Sequence, residues 1–118
     1  MTNLCFQREL RLVTPDQYKR VFDNPVKASS PNLTILARTS ELDNIRLGLV
    51  VPKKVLKRAV DRNRIKRLTR NYFRLNQHTL PKLDYVVIAK GKIGELTNVD
   101  IVNLLEKLCT VISRRSRK

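Results

Sequence analysis

A run of cationic side chains between residues 53 and 74 is the part of the sequence best suited to bind a charged ligand. Its ten basic residues are Lys53, Lys54, Lys57, Arg58, Arg62, Arg64, Lys66, Arg67, Arg70 and Arg74. Asp61 is the only acid among them, so the run carries a net charge of +9 out of the chain's +15. Like charges repel one another in a compact domain, and a bound polyanion relieves that repulsion. Because the planar guanidinium fork fits phosphates and base edges, the run indicates a nucleic acid as the ligand.

The spacing within this run predicts a helix with two different faces. Ile65, Leu68, Tyr72 and Leu75 fall within one sector of about 80° on a helical wheel, which predicts the face that packs on the rest of the protein. The polar side chains of the opposite face are Arg62, Asn63, Lys66, Arg67, Arg70 and Arg74. Like charges three and four residues apart destabilise a helix, so an anionic partner explains this face better than folding does. The residues alone leave DNA, a membrane surface and a solvated face without a ligand as alternatives to RNA.

Two aromatic side chains, Tyr18 and Phe22, lie one helical turn apart near the start of the chain. Facing a groove, they could stack on the unpaired bases of a single strand. Taken alone, however, this spacing favours packing of a helix against a sheet. Phe6 and Phe73 are assigned to the core.

The sequence predicts no catalytic or metal site. It has one histidine, His78, without a nucleophile or carboxylate at a spacing that would couple to it, and its acids are scattered. A protein that cleaved phosphodiesters alone would be expected to show a cluster of acids or a pair of histidines. We therefore predict that the chain has no catalytic residues of its own.

The two cysteines and the distribution of apolar residues bear on location. Cys5 and Cys109 lie far apart without metal-ligand spacing, so both are expected to be reduced thiols, with Cys109 in the core. No apolar run approaches the roughly 18 to 20 residues that span a bilayer. Residues 1–10 lack the apolar segment of a signal peptide. These features predict a cytoplasmic protein that binds no membrane.

The elements that must position these side chains follow from hydrophobic periodicity and from helix-capping residues. Thr14 and Pro15 predict the start of a first helix that ends before Pro25. Strands are predicted at 26–29, 33–38, 45–51 and 84–90, with a polar hairpin loop at 39–44 and the last strand central. The basic run supplies the second helix.

A third helix is predicted to start at a Thr97 cap. Its buried stripe comprises Ile101, Leu104, Leu105, Leu108 and Ile112. Residues 113–118 form a short basic tail that is expected to fray. The order α-β-β-β-α-β-α predicts one α+β domain over residues 1–118, a two-layer sandwich of three helices on a four-stranded sheet.

Residues 58–68, which read RAVDRNRIKRL, resemble the signature helix of the bacterial ribonuclease P protein family. Further similar segments occur in the family's order at 8–12, 46–49, 51–54 and 84–89, so the resemblance covers nearly the whole chain. It is strongest to the gammaproteobacterial type.

The resemblance implies a fold and a function. The fold would be the predicted sandwich with a left-handed βαβ crossover, like ribosomal S5 domain 2. The protein would assist a catalytic RNA, of the M1 type, that removes the 5′ leader from precursor tRNA and broaden the range of substrates cleaved. Mg²⁺ would be held by the RNA and its substrate, and the protein alone would bind no cofactor.

The resemblance also implies roles for individual residues. The side chains implied to bind the catalytic RNA are Lys53, Lys54, Arg58, Arg62, Asn63, Arg64, Lys66, Arg67 and Arg70. Tyr18 and Phe22 would bind the leader. Leu36 stands where some members have an aromatic residue, so apolar contact would replace stacking there. The rival hypothesis is a ribosomal or ribosome-associated protein that binds rRNA, and a DNA-binding architectural protein is a weaker third.

Overall fold

The computed structural model describes residues 15–23, 25–39 and 45–116. Its elements are α1 (Pro15–Phe22), β1 (Val26–Ser29), β2 (Leu33–Thr39), β3 (Arg46–Val50), α2 (Ala59–Asn76), β4 (Leu83–Ala89), a short 3-10 turn (Ile93–Glu95) and α3 (Asn98–Ser116). This order confirms the predicted α+β class and the predicted succession of helices and strands. The predicted cap at Thr14 and the core position predicted for Phe6 lie outside the described residues.

The four strands form one mixed sheet in the order β1-β2-β4-β3. β4 pairs antiparallel with β2 and parallel with β3, so its predicted central position is confirmed. The predicted hairpin between β2 and β3 is wrong, because β4 lies between these two strands. Parallel neighbours cannot be joined by a tight turn, and α2 provides the crossover from β3 to β4. The left-handed sense of that crossover stays a prediction.

The main core lies between one face of the sheet and the helices α2 and α3. Its largest fully buried side chains include Phe73 of α2 and Tyr85 of β4, whose ring centroids are 5.2 Å apart. The predicted stripe of α3 is confirmed, with Leu104 only half-buried and Cys109 added to it. Burial of apolar surface on this face supplies most of the driving force for folding.

The buried face of α2 differs from the one that the helical wheel predicts. Ile65, Thr69 and Phe73 are buried, whereas Leu75 is 54% exposed. The prediction counted apolar residues only and therefore passed over Thr69. Its hydroxyl donates a hydrogen bond of 2.8 Å to the carbonyl of Ile65 one turn earlier, which lets a polar residue occupy the core.

Both ends of α3 are defined by local contacts. The Thr97 hydroxyl accepts a hydrogen bond of 3.1 Å from the amide of Asp100, and the Asp100 carboxylate accepts one of 3.4 Å from the amide of Thr97. This reciprocal capping box confirms the predicted start. The helix continues through Ser116, so the prediction that residues 113–116 fray is wrong. Arg115 donates a hydrogen bond to the carbonyl of Lys27 and so joins the end of α3 to β1.

Helix α1 lies on the opposite face of the sheet from α2 and α3. Val21 of α1, Leu36 of β2 and Val86 of β4 form a second, smaller cluster there, and Val21 is fully buried. The two main layers are thus the sheet and the pair α2 and α3, and α1 adds a partial third layer. Among the described residues, α1 is the only helix on this face, and its eight residues are too few to cover a four-stranded sheet.

Candidate RNA-binding surfaces

The cationic run between residues 53 and 74 forms a surface, here called the basic surface, which comprises the turn at residues 52–58 and the outer side of α2. All nine side chains implied to bind the catalytic RNA, together with Lys57, can be compared by exposure. The exposed members are Lys53, Lys54, Lys57, Arg58, Asn63 and Arg67. Arg62, Arg64, Lys66 and Arg70 are half-buried. The structure therefore brings the predicted residues together but presents them to different degrees.

The turn that precedes α2 is held by backbone hydrogen bonds and one apolar anchor. The carbonyl of Pro52 accepts bonds from the amides of Val55 and Leu56 at 3.1 and 3.2 Å. Leu56 is buried in the main core. This anchoring leaves Lys53 and Lys54 projecting beside the start of α2, where their ammonium groups extend the basic surface.

Two arginines of the Arg-Asn-Arg signature bind the protein itself. Arg62 donates hydrogen bonds of 2.9 Å to the carbonyls of Leu56 and Lys57, which ties the preceding turn to α2. Arg64 donates to Leu96 and Asn98 at 2.6 and 2.8 Å, which ties α2 to the segment before α3. Carbonyl and amide oxygens do not neutralise the guanidinium groups, so the positive charge of the surface remains.

A second surface, here called the α1 cleft, is formed by α1 and the strand residues beside it on the same face of the sheet. Tyr18 packs over Gly48 of β3 so closely that a Cβ at Gly48 would lie 2.5 Å from Cε1 of Tyr18. Only glycine leaves room for the ring at this position. Phe22, one turn later, is 46% exposed. The cleft thus has one aromatic ring seated on the sheet and one presented to solvent.

The floor of the α1 cleft is formed by two rows of residues across the strands. Leu36 lies in the row next to Val21 and is 8% exposed, so it offers a ligand little surface. The row beyond contains a hydroxyl pair, Ser29 and Thr34, whose oxygen atoms are 3.0 Å apart. Sequence reasoning named neither this pair nor Gly48. The Ser29–Thr34 pair and the contact of Tyr18 with Gly48 both depend on how the strands pair. A glycine within an apolar strand is nevertheless a recognised sign that another group packs closely against the backbone.

A buried ion pair lies on the same face of the sheet. Arg46 donates hydrogen bonds of 2.8 and 2.7 Å to the two carboxylate oxygens of Asp84, which is 1% exposed. The hydrogen bonds that Arg46 donates to Asp84 raise the pKa of Arg46, against the opposing effect of burial. No local pattern predicts this pair, because its members are 38 residues apart and meet only through the pairing of β3 with β4.

The other residues considered for chemistry are placed without a cluster around them. His78 is exposed, and Cys109 is a buried free thiol whose pKa burial raises to about 12. Within residues 15–23, 25–39 and 45–116, no three His, Cys, Asp or Glu side chains are grouped so as to hold a metal ion. No helix in the same ranges is long and apolar enough to cross a membrane.

Comparison with known proteins connects these surfaces to one family. A sequence profile of the family Ribonuclease P matches residues 6–113. The chain is 54% identical over 117 residues to the ribonuclease P protein component of Photobacterium profundum, covering 99% of both chains. It is 57% identical over 108 residues to the ribonuclease P protein component of Haemophilus influenzae, covering 92% of this chain and 91% of that one.

A solved structure agrees with these relatives. The ribonuclease P protein of Staphylococcus aureus superposes with a TM-score of 0.82 at 26% identity, covering 88% of this chain and 97% of that one. The family profile, the relatives and the solved structure thus all indicate a ribonuclease P protein, and they do not favour a ribosomal rRNA-binding protein. The chain therefore belongs to the bacterial ribonuclease P protein family.

Proposed function

We propose that this RNA-binding subunit of ribonuclease P holds the catalytic RNA on its basic surface and the single-stranded 5′ leader of precursor tRNA in the α1 cleft. The observation that carries the proposal is the separation of the two surfaces. α2 joins the main core on one face of the sheet, whereas α1 packs on the other face. One protein can therefore contact two RNA segments at once.

The basic surface suits a folded RNA with closely spaced phosphates. Its six exposed members can reach phosphate oxygens, and such contacts release counterions and give binding that weakens steeply with salt. Arg62 and Arg64 contribute differently in this proposal. Their hydrogen bonds hold the turn at 52–58 and the start of α3 against α2, so they keep the surface in shape while adding charge.

The α1 cleft suits an unpaired strand. Phe22 offers a π-face that can stack on a base without regard to sequence, as leaders of varied sequence require. The exposed hydroxyl of Ser29 can exchange hydrogen bonds with ribose or base, whereas Thr34, which is 5% exposed, supports Ser29 through the hydrogen bond between their hydroxyls. Tyr18 defines the wall of the cleft, and Leu36 supports the floor through Val21 rather than through the RNA.

Cleavage itself is assigned to the RNA partner. In this proposal an M1-type RNA and the substrate hold the Mg²⁺ ions, and the protein raises affinity for substrate and metal without a catalytic residue of its own. The similarity to gammaproteobacterial protein components supports this division of roles. Precursor tRNA is made in the bacterial cytoplasm, which is the proposed location.

Reconstitution with the catalytic RNA of a gammaproteobacterial ribonuclease P tests the proposal directly. The protein alone should leave precursor tRNA intact, and the RNA with protein should release the leader at a magnesium concentration at which the RNA alone is slow. Cleavage by the protein without RNA, or no acceleration by the protein at low magnesium, would contradict it.

The basic surface is tested by removing one charge at a time. Arg67→Ala should weaken binding to the catalytic RNA roughly tenfold and lower the slope of log affinity against log salt by about 1. Lys107→Ala removes one exposed charge from α3 and is the matched control, for which no loss is expected. Equal losses for the two variants would show that net charge rather than this surface drives binding.

The α1 cleft is tested by comparing substrates with and without a leader. Phe22→Ala should weaken binding of precursor tRNA to the holoenzyme by about fivefold or more, the range measured for one stacked base. Binding of mature tRNA should not change. Val99→Ala, which truncates an exposed apolar residue on α3, is the control. Equal losses for precursor and mature tRNA would contradict the cleft assignment.

A further inference from the structure

The short helix α1 ends against an arginine from the neighbouring sheet. A helix of eight residues is too short to be stable alone, and its last carbonyl groups lack partners within the helix. Nη1 of Arg38, on β2, donates hydrogen bonds of 2.8 Å to the carbonyl of Arg20 and 2.7 Å to the carbonyl of Asp23. The Asp23 carboxylate lies 3.7 Å from the same nitrogen. A cation at this end also interacts favourably with the helix dipole.

The neighbouring residues on the sheet leave Arg38 available for this contact. Arg38 lies directly opposite Asp84 in the pairing of β2 with β4, and Asp84 lies opposite Arg46 in the pairing of β4 with β3. Arg46 binds both carboxylate oxygens of Asp84. The acid closest to Arg38 along the sheet is therefore already neutralised, and the guanidinium group of Arg38 faces α1 instead.

The contact bears on the exposed aromatic ring of the α1 cleft. Phe22 lies between the two residues whose carbonyls Arg38 holds, Arg20 and Asp23. Because those bonds fix the backbone on both sides of Phe22, they fix the direction of its Cα–Cβ bond and so limit where its ring can lie. A second, longer hydrogen bond joins α1 to β2: the guanidinium group of Arg20 donates to the carbonyl of Thr39 at 3.3 Å.

We infer that Arg38 is a positioning residue for leader binding: it caps α1 and holds Phe22 in the orientation that stacks on the RNA. The inference rests on the proposed function, since it assigns Arg38 a role in the same cleft. Arg38 acts through Phe22 and does not itself contact the leader. Its side chain is 36% exposed, and its Nη1 donates hydrogen bonds to two carbonyls at the end of α1.

The test measures affinity of the reconstituted holoenzyme for precursor tRNA and for mature tRNA. Arg38→Ala should weaken precursor binding several-fold, approaching the effect of Phe22→Ala, and leave mature tRNA binding and assembly with the catalytic RNA unchanged. In a Phe22→Ala background, Arg38→Ala should cause no further loss. Arg38→Lys, which keeps one donor near the same carbonyls, should restore part of the affinity.

Three results separate the outcomes. If Phe22→Ala itself causes no loss specific to the leader, the proposed function fails and this inference fails with it. If Phe22→Ala causes that loss and Arg38→Ala does not, only the inference is overturned. If Arg38→Ala lowers the salt slope by about 1, Arg38 binds a leader phosphate directly and the positioning role is overturned.

A second measurement covers the case in which Arg38→Ala does not fold. Amide hydrogen exchange of the full chain with Arg38→Lys should show faster exchange at Val21 to Asp23, while β4 stays protected as in the parent protein. Unchanged exchange in this segment would overturn the inference. Lys27→Ala, which removes a cation from β1 on the same sheet face, is the control for exchange.

Discussion

A methyl group added at Gly48 should displace Tyr18 and thereby change leader binding without unfolding the protein. The Cβ of Gly48→Ala would lie 2.5, 2.7 and 2.8 Å from Cε1, Cζ and Oη of the Tyr18 ring. The shortest of these distances falls about 0.9 Å below the 3.4 Å at which ordinary contact begins. The clash involves the far end of a side chain that can rotate, so the ring rather than the strand should move.

The magnitude follows from two opposing contributions. Overpacking costs roughly 1 to 3 kcal/mol of folding free energy, and replacing glycine by alanine within a strand returns about 0.5 to 1 kcal/mol. The net destabilisation should therefore stay at or below about 2.5 kcal/mol, which a folded domain tolerates. A displaced wall narrows the α1 cleft, so we expect precursor tRNA to bind about tenfold more weakly, within the range for loss of one stacked base.

The control for this variant adds a methyl group at a glycine where a Cβ would meet no other atom. Gly91→Ala meets nothing within 4 Å and controls for the general effect of adding a methyl group. Holoenzyme affinities for precursor and mature tRNA give the effect of the leader, and denaturant unfolding gives stability. In a Tyr18→Ala background the Gly48→Ala change should add little. A full additional loss in that background, or no loss in the single variant, would refute the argument.

Three further predictions concern the core. Phe73→Ala should lower the free energy of unfolding by about 3 to 5 kcal/mol in denaturant titration, because the ring is fully buried against Tyr85. Arg46→Ala should cost about 3 to 5 kcal/mol in the same titration, because it leaves the Asp84 carboxylate buried and unpaired, and Asp84→Asn in that background should recover part of the loss. In a Cys5→Ser background, Cys109 should react with a thiol reagent only as fast as local unfolding exposes it, since the thiol is buried and its pKa is raised to about 12.

The raised pKa of Cys109 also predicts how stability depends on pH. The folded state keeps the thiol neutral up to about pH 12, whereas the unfolded chain ionises it near its ordinary value of 9.0. The contribution to stability is therefore complete below pH 9 and falls as pH rises from about 9 to about 12. Cys109→Ala should flatten the fall in melting temperature across this window, and an unchanged slope would contradict the assignment.

The fold and the basic surface could be predicted from the sequence to different degrees. The order of elements and the core stripe of α3 were predicted, because apolar periodicity and caps such as Thr97 are local signals. The hairpin between β2 and β3 was wrongly predicted, because sequence neighbours are usually neighbours in the sheet and β4 is inserted between them. The buried face of α2 was wrongly predicted to include Leu75 and to exclude Thr69. Apolar periodicity does not reveal the burial of Thr69, because that burial depends on a hydrogen bond from its hydroxyl to the helix backbone.

The sequence by itself determined where a polyanion could bind, since the number and spacing of the cations are set by the chain, and its signature segment indicated the family. Only the tertiary structure decided which of those cations are free to meet RNA. Arg62 and Arg64 are adjacent to Asn63 in sequence, yet their guanidinium groups reach carbonyls at residues 56, 57 and 96. The tertiary structure likewise brought Tyr18 to Gly48 and Arg38 to the end of α1. Such contacts join residues distant in sequence, so they exist only once strand order and register are set.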